Sequence, residues 1–307
     1  MVIKAQVGCR LRKIFLLAAA LAGTVPAFAT TYILTVAGFG GEEDYEKRFV
    51  LLANDTDRIL RGGGGTDRVI ETLKGPEATK AKLNASLAKI ASGATAEDVL
   101  ILMMIGHGTF DGTEYKFNLP GLDISATELA AALNKIPASR QLVVDMTSAS
   151  GGATAALKKE GRTVITATKS GSEKNATLFA RYWVEALRDP AADTDKNEVV
   201  SALEAFRYAQ NKTAAFFTEQ KRLATEHAQL ATEDQQRAGA FPLVRYGAAA
   251  ATVTDPAKRA LVAKKEEIEN KIDALKYQKD LMAPEDYKRQ IAAFLLELAR
   301  TQEALEK

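Results

Sequence analysis

The chain contains few cysteine, histidine or aromatic residues. Its 307 residues include one cysteine, Cys9, and two histidines. Because Cys9 falls in the leader described below, the rest of the chain offers neither a disulfide nor a thiol nucleophile. Aromatic residues make up only 7% of the sequence, which does not suit a surface on which bases stack. Lys and Arg number 41 against 39 Asp and Glu, so no strong field favours nucleic acid or an anionic membrane, and neither is expected as a partner.

The amino terminus has the pattern of a secretory leader. Basic residues precede an apolar run at 14–23, and Ala27-Phe28-Ala29 offers small residues for cleavage. The run is short for a membrane span and Pro26 follows it, and both features favour a cleaved signal. An uncleaved membrane anchor is the alternative. Cys9 lies before the run, which argues against a lipid-anchored cysteine. We therefore predict a signal peptide over 1–29, a periplasmic or secreted protein, and no membrane span once the signal has been removed.

Apolar runs and helix-period segments alternate after the leader, which is the order of βαβ units. Ser125 and Glu128 form a capping box that predicts a helix start, and a long helix is expected over Ser201–Ala231. The predicted strands are short and continuously apolar, so we expect a mainly parallel sheet covered by helices on both faces. These strands are Tyr32–Ala37, Arg68–Leu73, Val99–Ile105, Gln141–Met146 and Arg162–Thr168.

Two of the predicted strands end in short polar turns. Gly106-His107-Gly108 follows the third strand, and the polar segment 147–152, which begins Thr147-Ser148, follows the fourth. Ligands of an open parallel sheet bind outside the carboxyl ends of its strands, so His107 and Ser148 are expected to share a site. A histidine beside a hydroxyl is a combination used for acyl transfer. A hydrogen-bonded loop histidine without a role in chemistry is the alternative.

These turns carry a family resemblance. Together with Ala37-Gly38 after the first strand, and with Thr166-Ala167-Thr168 leading to Glu173, they resemble the caspase and legumain superfamily of peptidases, which includes the C13-like peptidases. The resemblance covers roughly Tyr32–Leu230 and identifies the chain as similar to an exported, bacterial-type member. It implies a three-layer caspase/legumain-like α/β fold that takes a peptide at its strand ends.

The resemblance also implies roles for individual residues. His107 takes the acid/base role, the amides of Gly108 and Ser148 form the oxyanion hole, and Ser148 stands where the superfamily has its nucleophilic cysteine. Glu173 falls in the region that shapes the specificity pocket of legumain-like enzymes, so it is a candidate for substrate binding.

The exchange of cysteine for serine changes the expected chemistry. A serine hydroxyl needs a general base in direct contact, whereas a thiol is partly ionised near neutral pH. We therefore expect a pseudo-peptidase that binds a peptide or protein segment. An active serine hydrolase is the alternative, and a non-enzymatic envelope scaffold is a second one.

A second motif has the ligand spacing of an EF-hand calcium loop. Its sixth position, where such loops need a glycine with positive φ, is Glu198. The sequence therefore leaves two interpretations, a structural calcium ion or carboxylates that cap the next helix. No other cofactor is expected. The candidate ligands are Asp193, Asp195, Asn197, Ser201 and Glu204.

The carboxyl-terminal segment is a separate unit with two amphipathic helices on either side of Pro284. We predict a caspase/legumain-like domain over 30–238, a linker over 239–255 and a coiled-coil-like helical hairpin over 256–307. The hairpin is expected to dock on the α/β domain, or to pair with another copy or an envelope partner. The apolar stripes are Leu261, Ile268, Ile272, Leu275 and Met282, then Tyr287, Ile291, Phe294, Leu295, Leu298 and Leu305.

Overall fold

The computed structural model describes residues 29–63, 67–232, 236–246 and 282–306, with scattered helical positions between 258 and 275. The predicted signal peptide, apart from Ala29, and residues 247–255 of the predicted linker lie outside the described residues. The strands are β1 (Thr31–Ala37), β2 (Arg68–Leu73), β3 (Val99–Ile105), β4 (Gly108–Phe110), β5 (Tyr115–Phe117), β6 (Ile124–Ser125), β7 (Arg140–Asp145), β8 (Arg162–Thr166), β9 (Val199–Ser201), β10 (Gln229–Ala231) and β11 (Pro242–Arg245). The helices are α1 (Glu43–Gly62), α2 (Lys80–Gly93), α3 (Ala126–Leu133), α4 (Thr154–Leu157), α5 (Phe179–Ala186), α6 (Ala202–Glu219), α7 (Gln236–Gly239) and α8 (Pro284–Glu306). Short 3₁₀ turns lie at Gly75–Glu77, Ser150–Ala153 and Pro190–Ala192.

A six-stranded sheet in the order β10-β8-β7-β3-β1-β2 forms the centre of the molecule. Strands β8, β7, β3, β1 and β2 are parallel, and β10 is an antiparallel edge strand. The five predicted strands are therefore confirmed, with ends that shift by no more than two residues. The expected fold class, α/β with a mainly parallel central sheet, is confirmed as well.

Strand β3 lies in the middle of the sheet, and every one of its side chains is buried. Ile101 and its alternate neighbours belong to an apolar cluster with α1, α5 and α6, while Leu102 and its alternate neighbours belong to a cluster with α2 and α3. Alternate side chains of a strand point to opposite faces of the sheet. A strand that is covered on both faces therefore needs an unbroken apolar sequence, as 99–105 has.

The three strands β4, β5 and β6 form a small antiparallel sheet directly after β3. The ring of Phe117 in β5 packs so closely on Gly38 and Gly106 that a Cβ on Gly38 would come within 2.7 Å of it. The predicted capping box then starts α3, since Ser125 Oγ accepts the Glu128 N–H and Glu128 Oε2 accepts the Ser125 N–H. The small sheet is thereby held near the carboxyl ends of β1 and β3.

Two segments differ from the sequence predictions. The helix expected over Ser201–Ala231 ends at Glu219, Lys221 has a left-handed φ of 51°, and the chain returns as the edge strand β10. Residues 242–245, assigned to the linker from sequence, form β11, which pairs with β9. Phe241 and Leu243 beside this pairing are fully buried. Residues 242–245 are therefore a packed strand, and the predicted domain bounds stay a prediction.

The carboxyl-terminal helices differ in burial. Ile268, Ile272 and Leu275 of the first helical segment are buried, whereas the apolar stripe of α8 is half-buried or exposed. An ion pair between Lys264 and Glu297, with 3.3 Å between Nζ and Oε1, joins the two segments. The predicted coiled coil stays a prediction. Among the helices that the described residues form, none combines the length and the apolar character needed to cross a membrane.

Candidate functional site

The carboxyl ends of β3 and β7 lie side by side, as the predicted site requires. The Met146 N–H donates to the Met104 carbonyl at 2.9 Å, so the two strands stay paired up to the point where the polar turns begin. Gly108 and Ser148 follow these ends and touch each other. The structure therefore brings together the two turns that the sequence analysis paired.

The Ser148 side chain is bonded to the backbone of Gly108. Its Oγ accepts the Gly108 N–H at 3.1 Å and donates to the Gly108 carbonyl at 3.0 Å. Ser148 is only 2% exposed. A Cβ at position 108 would lie 2.6 Å from the Ser148 carbonyl oxygen, so glycine permits this close approach. The hydroxyl proposed as nucleophile and the amide proposed for the oxyanion hole therefore bond to each other.

The His107 ring is half-buried against the first turns of α1. Its centroid lies 4.7 Å from that of Tyr45 and 5.0 Å from that of Phe49, both in edge-to-face geometry. Burial lowers the pKa of His107, the nearby Arg48 cation lowers it further, and Glu42 partly opposes both. Among the described residues, no hydroxyl or carboxylate hydrogen-bonds to the ring. The lowered pKa favours the neutral imidazole, and the ring makes no hydrogen bond to Ser148.

A buried polar network lies beneath the β7 turn. Thr147 Oγ1 donates to Asp145 Oδ1 at 2.7 Å, and the Tyr115 hydroxyl lies 2.6 Å from Thr147 Oγ1. Burial raises the pKa of Asp145 to about 6, against the hydrogen bonds from Thr147 and Tyr115 that lower it. Asp145 Oδ2 has no hydrogen-bond partner in the described part of the chain. Thr147 and Tyr115 were not predicted as site residues, because nothing in their spacing indicates that β5 lies beside the turn after β7.

The turn after β7 contains a residue in a strained, left-handed backbone conformation. Ala149 is fully buried with a left-handed φ of 57°, which costs a residue with a Cβ about 1–2 kcal/mol. The Gly151 N–H donates to Thr168 Oγ1 at 2.9 Å. A Cβ on Gly152 would lie 2.8 Å from the Phe110 ring, so the β4 aromatic covers the turn closely. The turn is therefore packed from both sides and not an open loop.

Glu173 lies beside this turn and is paired with the second histidine. The Ala149 N–H donates to the Glu173 carbonyl at 2.8 Å. Glu173 Oε1 is 2.5 Å from His227 Nδ1, and Oε2 accepts the N–H groups of His227 and Lys169. Burial raises the pKa of Glu173, but these bonds outweigh it, so the pKa lies below its usual value. Spacing along the chain could not predict this pair, because 54 residues separate Glu173 from His227.

Glu226 connects the same segment to α5. Its two carboxylate oxygens accept the N–H groups of Leu178 and Phe179 at 2.7 and 3.2 Å, at the amino-terminal end of the helix. Burial raises the pKa of Glu226 to about 7 despite these bonds. The segment 226–227 therefore places a carboxylate and an imidazole where α5, the loop after β8 and the edge strand β10 meet.

The calcium-like loop brings three predicted ligands together. Carboxylate oxygens of Asp193, Asp195 and Glu204 all lie within 4.8 Å of one another. Asp193 accepts the N–H groups of Asn197 and Glu198 at 3.1 and 3.0 Å. Glu198 has a φ of 65°, so the sixth position adopts the left-handed turn of an EF-hand although it is not glycine.

The remaining predicted ligands of this loop bond to the protein itself. Asn197 Oδ1 accepts the Val199 N–H at 2.8 Å, and Ser201 Oγ donates to Glu204 Oε2 at 2.8 Å. Ser201 and Glu204 form a capping box at the start of α6. The capping interpretation is thus seen in the structure, and calcium binding stays a prediction.

No family model and no curated protein sequence matches the chain. It is similar to the crystal structure of a structural-genomics target from Geobacter sulfurreducens, with 14% identity and a TM-score of 0.45 over 72% of this chain and 98% of that one. It is also similar to caspase-1 from Spodoptera frugiperda, with 11% identity and a TM-score of 0.45 over 66% and 86% of the two chains. The Drosophila initiator caspase Dronc matches with 8% identity and a TM-score of 0.42 over 75% and 92%. At these values the similarity concerns the arrangement of sheet and helices and carries no activity over to this chain.

Proposed function

We propose that this chain is an exported peptidase-fold protein that binds a peptide segment at the carboxyl ends of β1, β3 and β7 without cleaving it through Ser148. The observation that carries the proposal is the pair of hydrogen bonds between Ser148 Oγ and the Gly108 backbone. A serine nucleophile needs its proton directed to a general base. Here that proton is directed to a backbone carbonyl, and His107 makes no hydrogen bond to the hydroxyl.

Stabilisation of an oxyanion would require the Gly108 N–H to face the substrate. That N–H is already bonded to Ser148 Oγ, and Gly108 is buried. An approaching carbonyl oxygen would have to break both Ser148 bonds before it reached either group. The geometry therefore favours recognition over hydrolysis.

Side chains suited to a peptide surround the same strand ends. Phe39, in the loop after β1, is 48% exposed, and the half-buried His107 ring follows β3. Lys169 and His227 supply polar groups beside the loop after β8. Glu173 is already held by His227, so a basic substrate side chain would have to compete for it. We therefore propose an apolar anchor at Phe39 and polar contacts at the far end.

The test compares the mature chain with its Ser148→Cys, Ser148→Ala, Phe39→Ala and Leu51→Ala variants against a broad peptide library. We expect no cleavage product by mass spectrometry from the natural protein, and weaker peptide binding by Phe39→Ala than by Leu51→Ala, which removes an exposed apolar residue on α1. Cleavage by Ser148→Cys alone would mean that the scaffold lacks only its nucleophile, in agreement with the proposal. Cleavage by the natural protein that Ser148→Ala abolishes would refute it.

A second candidate function is that of an envelope scaffold, or of a homo-oligomer, that works through the carboxyl-terminal helices. The observation that favours it is the exposure of Leu295 and Leu296 on α8, at 51% and 54%. Replacing both with lysine leaves the buried residues of the domain unchanged. If this candidate is right, the double variant sediments as a smaller species than the natural chain. Identical sedimentation as monomers would exclude self-association through α8.

A further inference from the structure

A small polar cavity lies at the amino-terminal end of β8, at the opposite end of this strand from the candidate functional site. Its volume is about 80 Å³. One water molecule needs about 10–15 Å³ of such space, so the cavity has room for several waters or one small ion. Four cationic side chains line it, with one carboxylate among the described lining residues. The cations are Lys158, Lys159, Arg162 and Arg237, and the carboxylate is Glu160.

Arg162 brings a buried positive charge to this cavity. It is 5% exposed, and its guanidinium donates to Gln141 Oε1, the Leu157 carbonyl and Asn134 Oδ1, each at 2.9 Å. All three acceptors are neutral, and within the described ranges no carboxylate forms an ion pair with it. Burial without a counter-charge lowers the pKa of Arg162 to about 10. Buried charges are ordinarily paired, so a guanidinium that bonds only to neutral acceptors in the described part of the chain is suited to an anionic ligand.

Thr163 offers an independent sign of a missing partner at the same place. Its side chain is 1% exposed and lines the cavity. Its Oγ1 has no hydrogen-bond partner among the described groups. An unsatisfied buried hydroxyl costs roughly 1–3 kcal/mol, which favours a ligand that accepts its proton.

Lys158 and Lys159 add two further positive charges at the cavity. Lys158 and Lys159 are exposed, and neither forms an ion pair with a side chain that the structure describes. The Arg162 backbone N–H donates to the Lys159 carbonyl at 3.0 Å, and its guanidinium donates to the Leu157 carbonyl, so both lysines follow directly on the segment that Arg162 holds. Flexible ammonium groups at the mouth and a fixed guanidinium below them suit a compact anion with several oxygen acceptors.

We propose that this cavity binds a small tetrahedral oxyanion of the size and charge of inorganic phosphate. Arg162 supplies the buried counter-charge, the Thr163 hydroxyl donates a hydrogen bond, and Lys158 and Lys159 close over the remaining oxygens. Glu160 weakens binding by repulsion. The proposal does not depend on the peptide site.

Isothermal titration of the mature chain with inorganic phosphate, at ionic strength held constant with potassium chloride, tests this site. We expect one saturable site with a dissociation constant on the order of 1 mM or tighter. The Lys158→Ala/Lys159→Ala variant should bind at least about tenfold more weakly, since it loses two charge-assisted hydrogen bonds. The control is Lys89→Ala/Lys116→Ala, which removes the same charge from exposed positions elsewhere and should leave affinity unchanged.

A substitution of Glu160 should change the phosphate affinity in the opposite direction. Glu160→Gln removes the repulsion and should tighten phosphate binding several-fold, with sulfate showing the same order of variants. The absence of saturable binding by the natural chain would overturn the proposal. Equal binding by all four proteins would also overturn it, because the anion would then bind elsewhere on the chain. Both lysines are exposed, so these variants keep the buried residues of the fold and either result can be interpreted.

Discussion

Ser148→Ala is the substitution that separates the two interpretations of the β7 turn most clearly. If Ser148 is a nucleophile, its loss removes activity and leaves stability nearly unchanged or improved, as is common for strained active-site residues. If its hydroxyl holds β4 against the turn, the loss is structural. The structure supports the second interpretation through the two bonds to the Gly108 backbone.

The expected magnitude follows from those two bonds. Each is worth about 1 kcal/mol net, and alanine also leaves the buried N–H and carbonyl of Gly108 without a partner. A buried group left unsatisfied costs about 1–3 kcal/mol, part of which water entering the vacated space recovers. We therefore expect Ser148→Ala to lower the free energy of unfolding by about 2–4 kcal/mol.

Urea unfolding, followed by the fluorescence of Trp183, measures this difference. Trp183 is the only tryptophan and is fully buried, so its emission reports the packing of α5 on the sheet. Ser172→Ala is the control, since Ser172 is exposed and should change stability by less than about 0.5 kcal/mol. A loss below about 1 kcal/mol for Ser148→Ala, with an unchanged urea slope, would refute the structural role.

Three further predictions concern charged groups. In NMR titrations of a chain without a histidine tag, the Hε1 resonance of His107 should show a pKa below the usual histidine value. Arg48→Ala should raise that pKa because it removes a neighbouring cation, and an unchanged pKa would contradict the effect of Arg48 on His107. Burial raises the pKa of Glu226 from 4.5 to about 7, so the folded state holds its proton more tightly than the unfolded state. The free energy of unfolding of the natural chain should therefore fall as the pH rises from 4.5 to 7, by up to about 1.4 kcal/mol per pKa unit, and Glu226→Gln should remove this contribution. Urea unfolding at a series of pH values measures both proteins. Parallel pH profiles would show that Glu226 does not titrate in this range. In the calcium-like loop, Glu198→Gly should stabilise the metal-free chain by about 1 kcal/mol because glycine accepts a positive φ without strain. If calcium binds, it raises the melting temperature and Asp193→Asn abolishes the rise; a rise that survives this substitution would place the ion elsewhere.

Much of the fold could be predicted because the relevant information is local. The unbroken apolar run of β3 is required wherever a strand is covered on both faces, and the Ser125 capping box starts a helix in any surroundings. The helix predicted through Ala231 was wrong beyond Glu219. Leu230 instead pairs with Ile165 of β8, and spacing along the chain carries no record of that distant strand.

The sequence by itself determined that His107 and Ser148 come to neighbouring strand ends, since the chain order of a parallel sheet sends both turns to one edge. Only the tertiary structure decided what their side chains do there. Ser148 faces the Gly108 backbone because β4 folds back over the turn, and Glu173 meets His227 because the edge strand returns beside β8. A hydrogen bond forms only where two atoms approach each other to within a few tenths of an ångström of the ideal distance. Gly108 and Ser148 are separated by 40 positions, and Glu173 and His227 by 54, so the local sequence contains no signal of either approach.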